Sequence, residues 1–377
     1  MTLIVTKFFE SDARLNARRE GLEDLPLAVF PMAAVPLPKE IEELKLGQKV
    51  ADDLAMSLTQ GLPSCPEAAD ADQEDVPVFA GSSHGEAWEN MERHFLRNCW
   101  SDGLPLVPPT RDAVDKMLEG TELPPSHVVG VVEPAGAEAT VEKIAINAVM
   151  AGCLPQYMPV ILAAVEAITD PLFDLQGVQC TTGPVSPLLI VSGPNLIEQL
   201  NINDSFSTLG PGWRANATIG RAIRLVMINI GGAWPGKSDM KAFGSPFKYV
   251  TLMAENEAAY KGAWEPIRVA EGFRQAEATV SVMPAVSWQP HMVSENMATA
   301  DNVTETIAEQ GRVKFDTSLG VWGMDDLVLL SPSAFESIRK EGRSRKDMQN
   351  ALHHAIKAPG SKVFVGREYS KESTRIP

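Results

Sequence analysis

The sequence predicts an α/β fold: a mixed or largely parallel sheet flanked by helices, preceded by a small N-terminal α/β segment. Three observations lead there. Short apolar runs without alternation, HVVGVVEP (127–134) and PLLIVSGP (187–194), read as strands buried on both faces. Stretches with apolar residues at helical spacing lie between such runs. Glycine and proline mark the joins, as at Gly152 to Pro155. No repeat at a solenoid period is present.

The elements follow in order. TLIVTKFF (2–9) and LPLAVFPM (25–32) are strand-like, and residues 38–58 form a helical pattern opened by Pro38, completing a segment over 1–62. Residues 63–83 are acidic and proline-rich and read as a linker. The main α/β domain covers 84–377. It starts with an amphipathic helix ending near Cys99, an extended loop over 101–110, and a short helix closed by Gly120. The buried strand 127–134 precedes a helix from about Val141 to Met150, which Gly152 ends; Pro155 opens the next helix. After the strand 187–194, a helix over 216–232 is capped by Asn216. Strands are expected at 277–286, 326–332 and 362–366, and helices at 300–310, 333–340 and 344–356.

Composition excludes several classes. The net charge of -16 opposes nucleic-acid binding, which rests on Lys and Arg neutralising phosphates. It equally disfavours an anionic membrane surface. The opening residues lack the pattern of a signal peptide. The apolar stretch MPVILAAV (158–165) is far short of the roughly 20 residues a membrane helix needs. Cys65, Cys99, Cys153 and Cys180 show no CxxC spacing, as expected of reduced thiols in a cytoplasmic protein.

Chemistry is best sought around Cys153. Placed just before a helix, its sulfur would meet unpaired N–H groups that favour an anion, lowering the thiol pKa. The competing role is a small apolar filler of a tight corner. Cys180 stands in QCTTGPVSP (179–187), where Thr181 and Thr182 can hold an oxyanion or merely close a turn. In GPGWRANATIGRAIR (210–224), Asn216 and Arg221 suit a carboxylate. Trp100 and Asp102 belong to a loop suited to cover a pocket. Lys248 and Glu255 lie in irregular stretches too apolar for a linker, and Glu142 is an acid–base candidate.

Beyond these readings, CWSDGLPLVPPT (99–110), the run 139–167, ANATIGRAIRLVMINIGG (215–232), GSPFKY with AENE, and the run 329–348 resemble bacterial proteins associated with the UGSC (seleno)protein family. Residues 28–63 resemble the tail of a UGSC domain, yet no cysteine precedes Cys65, so the U/C-G-S-C motif is absent. Pro332-Ser333-Ala334-Phe335 also replaces the Pro-Glu-His-Ala pattern of the relatives. The resemblance implies that a UGSC-type sibling subunit supplies the missing thiol, or that the chain forms a homo-oligomer.

The leading expectation is an enzyme subunit using thiol chemistry on a small carboxylate- or carbonyl-bearing molecule. Cys153, Cys180 and Glu142 would be catalytic; Thr181, Thr182, Asn216, Arg221, Lys248, Trp100 and Asp102 would bind substrate. One alternative is a metal-dependent lyase or hydratase with a transition metal on Cys153, Cys180, His291 or Glu255. Another is a non-catalytic scaffold for a UGSC-type partner. No motif requires a cofactor.

Overall fold

The computed structural model describes residues 3–7, 10–19, 27–30, 77–241, 243–249, 252–260, 262–286, 299–316 and 327–356. The helix expected at 38–58, most of the linker, the strand at 362–366 and His291 lie outside these residues. The fold is α/β. Internal contacts divide the chain into two units interleaved in sequence: Met1–Ile190, Leu200–Met253 and Val280–Ser287 in the first, the rest in the second.

The first unit opens with β1 (Leu3–Thr6), α1 (Glu10–Arg19) and β2 (Leu27–Phe30), the two strands pairing in parallel. Helices α2 (His84–Arg97) and α3 (Arg111–Leu118) start where expected, each on an N-cap hydroxyl: Ser83 and Thr110 accept from Glu86 and Ala113 main-chain N–H groups. Strand β3 (Val128–Val132) departs from expectation. It pairs antiparallel with β4 (Ala137–Thr140), and Val128 and Val131 remain 40% and 44% exposed. The four-residue turn after Val132, with Gly136 at φ 63°, sends the chain straight back, so one face of the hairpin meets solvent.

Helices α4 (Val141–Ala151), α5 (Met158–Thr169) and α8 (Arg214–Asn229) form the centre of this unit. Helix α5 is apolar nearly all round, as a buried helix must be, whereas α4 and α8 also bury polar side chains, Asn147, Asn216 and Arg224. Ile144, Met158, Ile161, Ile219 and Leu225 are fully buried, each contributing about 1.5–3 kcal/mol. Gly152 ends α4 in the left-handed conformation, φ 86°, as anticipated. Pro155 opens a single 3-10 turn, Pro155–Tyr157, before α5 begins. Helix α8 starts two residues earlier than Asn216, on Trp213, which provides no side-chain cap. Helix α6 (Leu175–Cys180) occupies part of the stretch expected to be a loop before β5 (Ser186–Ser192), all seven residues of which are buried. With β6 (Leu252–Ala254) and β7 (Thr279–Ala285), β5 makes a three-stranded sheet in the order β6-β5-β7.

The second unit includes α7 (Pro194–Leu200) but for its last residue, α9 (Ile267–Ala270), α10 (Ala300–Asp316), α11 (Pro332–Lys340) and α12 (Arg345–Ile356). Ala300, Val303, Ile338 and Met348 form its core, with Trp264 packed against them. The strand expected at 326–332 is irregular over its described residues. Ser331 caps α11 and Pro332 starts it, which commits that end of the run to a helix. No described helix is long and apolar enough to cross a membrane.

Candidate anion-binding site

The Gly152–Pro155 corner forms as read, but its sulfur does not behave as expected. Cys153 is 6% exposed, and its Sγ donates to the Thr218 carbonyl at 3.3 Å. Burial, only partly offset by Thr218 and the charges of Arg214 and Arg221, pushes the thiol up to about 12. Cys153 is therefore protonated at neutral pH, and the low-pKa thiolate expected of a nucleophile is disfavoured there. The following 3-10 turn is too short to supply the dipole the argument assumed. Cys180 is also buried, as the last residue of α6.

The other expected site residues scatter. Thr181 Oγ1 accepts from Gly183 N–H at 3.2 Å, closing its own turn, and Thr182 is exposed. Asn216 is buried and braces the loop before α8, accepting from Asn203 N–H and donating to the Asn203 and Thr208 carbonyls. Glu142 pairs at the surface with Arg111 at 2.8 Å. Trp100 stacks edge-on against His94 and Phe95 and is 38% exposed. Arg221 is not open to a substrate carboxylate: it grips Asp102 with two parallel bonds of 2.8 Å and donates to the Leu104 carbonyl. In the second unit, the buried Glu255 carboxylate accepts from Ser192, Tyr260 and the Ile267 N–H, a closed network rather than a metal ligand. Among the described residues, no group of three or more His, Cys, Asp or Glu side chains is arranged to hold a metal.

What the fold does assemble is a buried cationic cluster. Arg224, on α8, lies deep in the first unit. Its Nε donates to the Lys248 carbonyl at 2.9 Å, Nη2 to Ser186 Oγ at 2.9 Å, and Nη1 more weakly to Gln179 Oε1 at 3.4 Å. Lys248 ends the 3-10 turn Pro246–Lys248, and its Nζ pairs with Asp239. Lys241 reaches the same carboxylate at 3.4 Å and donates to the Val178 and Gln179 carbonyls, both at 2.9 Å. Lys241 and Lys248 thus share one carboxylate, which also attracts Arg224 without bonding to it. Asp102 adds a distant negative charge, but both its oxygens are held by Arg221.

The electrostatics carry the mark of this imbalance. Burial, opposed by Asp239 and reinforced by Lys248 and Arg224, brings the Lys241 ammonium down to about 8. Burial likewise lowers Lys248 and draws Arg224 to about 10, against the pull of Asp239. Burial alone would raise Asp239, but Lys248 and Lys241 outweigh it and hold the carboxyl below its ordinary value. Unbalanced buried charge costs several kcal/mol per ion unless a counter-charge arrives.

Of this cluster, the sequence reading singled out Lys248 but not Arg224, one helical turn after Arg221. It missed Lys241 and Asp239. The available signal was local: residues 237–248 hold three lysines and one acid in a chain of net charge -16. No protein-family model matches the chain, and neither a curated protein nor a solved structure is similar to it.

Proposed function

We propose that the first unit binds a small organic anion through its carboxylate at the Arg224–Lys241–Lys248 cluster, as part of an enzyme acting on that molecule. The single supporting observation is a buried arginine bonded to the Lys248 carbonyl beside two lysines that pair with Asp239, three cations to one carboxylate. The excess positive charge is what an anionic ligand neutralises, and Arg224 keeps one N–H on each Nη beyond those given to Gln179 and Ser186. Lys248 keeps the substrate-orienting role that the sequence suggested; Arg221 gives its role to Arg224. Calorimetric titration with acetate, malonate and phosphate tests this. Carboxylate binding should weaken at least tenfold in Lys241→Met, with its melting temperature measured alongside to show that the variant is folded. Phosphate binding alone would correct the ligand class, and indifference to all three anions would overturn the reading.

The burial of Cys153 and Cys180 also supports a companion proposal, that a UGSC-type sibling subunit supplies any reactive thiol. Co-purification from the native source tests it, and full activity of the isolated chain would refute it.

A further inference from the structure

We propose that Lys248 is a Schiff-base lysine for a small oxo-acid whose carboxylate is held by Arg224. The inference rests on the anion-binding reading and adds a covalent step to it. Two lysines share Asp239, and their surroundings separate them. The Lys241 ammonium has three acceptors, Val178 O, Gln179 O and Asp239, and its side chain is 2% exposed. Its donors are used and its nitrogen is enclosed. Lys248 has one bonded partner at Nζ among the described residues, Asp239, and its side chain is 16% exposed, so a ligand can reach it. Partial burial and the nearby Arg224 lower its ammonium against the pull of Asp239, the direction a nucleophilic lysine requires.

Charge supports the same assignment. Before reaction Arg224, Lys241 and Lys248 face one carboxylate, an excess of two positive charges that a substrate carboxylate reduces to one, and the step keeps that total because ammonium and iminium carry the same charge. In the step itself, the Lys248 ammonium passes a proton to Asp239 and its nitrogen adds to the carbonyl carbon. The added nitrogen gives a second proton to the former carbonyl oxygen, making it a hydroxyl, and the proton held by Asp239 then passes to that hydroxyl, which leaves as water. Ammonium and ketone become iminium and water, with no change in oxidation state.

Borohydride trapping decides the matter. The full chain treated with borohydride and pyruvate, or with acetoacetate, should carry one reduced adduct, located on Lys248 by peptide mass. The adduct should vanish in Lys248→Arg, persist in Lys116→Arg, an exposed lysine on α3, and be suppressed by excess acetate in the unaltered chain. A chain that binds acetate but takes no adduct would overturn the Schiff base and leave the anion site standing. A chain that does neither would overturn both. Adducts spread evenly over exposed lysines, unaffected by acetate, would also overturn it.

Discussion

At the scale of single residues, burial decides which cysteine is chemically available. Cys153 sits at the helix corner that invites a thiolate, yet losing water raises its pKa more than nearby arginines lower it. Cys99 is only half buried, and Lys237 Nζ donates to its sulfur at 3.4 Å. Iodoacetamide at pH 8 should therefore modify Cys99 readily and Cys153 only after denaturant is added. Rapid native labelling of Cys153 would restore the nucleophile reading. The sequence showed where Cys153 lies along the chain, because Gly152 and Pro155 punctuate locally. It did not show the Thr218 carbonyl, 65 residues away, or the burial that excludes water. Arg221 and Arg224 teach the same lesson. They stand one helical turn apart, but one meets Asp102 and the other Gln179 and Ser186, contacts set by tertiary packing.

At the scale of elements, close approach of backbones explains a glycine that sequence reading assigned to a helix stop. Gly120 follows α3 without the positive φ of a left-handed cap. A Cβ there would lie 1.9 Å from the Pro155 carbonyl oxygen. Gly120→Ala must push α3 away from the 3-10 turn, and a loss of about 1–3 kcal/mol in urea unfolding is expected. An unchanged midpoint would show that the corner yields freely. Helices with clear periodicity and hydroxyl caps were legible: α2, α3, α4 and α11 begin within a residue or two of their expected starts. The strands were harder. VVGVV and LLIVS look alike as apolar runs, but one is a hairpin edge and the other a buried central strand. Only the neighbours of each run distinguish them, and neighbours depend on the whole topology.

For the molecule as a whole, Lys241 and Cys153 give pH dependences of opposite sign. Lys241 titrates near 8 when folded against an ordinary 10.5, so between those values the unfolded chain binds more protons. Its contribution makes stability rise with pH across that window, by about 3 kcal/mol at most. Cys153 is raised from 9.0 to about 12, so its contribution is intact below about pH 9 and is lost as pH climbs toward 12. Thermal melts without ligand should accordingly improve from pH 8 to 9 before the thiol erodes the gain. Carboxylate affinity should run the other way, falling above about pH 8 as Lys241 gives up its charge. Melting temperatures flat across this range, with and without acetate, would contradict the assigned cluster.

Asp239, Lys241 and Lys248 all come from one irregular segment between α8 and β6, whereas Arg224, Gln179 and Ser186 belong to helices and a strand of the framework. A carboxylate lodged among them would touch both partners at once. The occupied site would rivet that segment to its frame, so that loading with ligand and tightening of the chain become a single event.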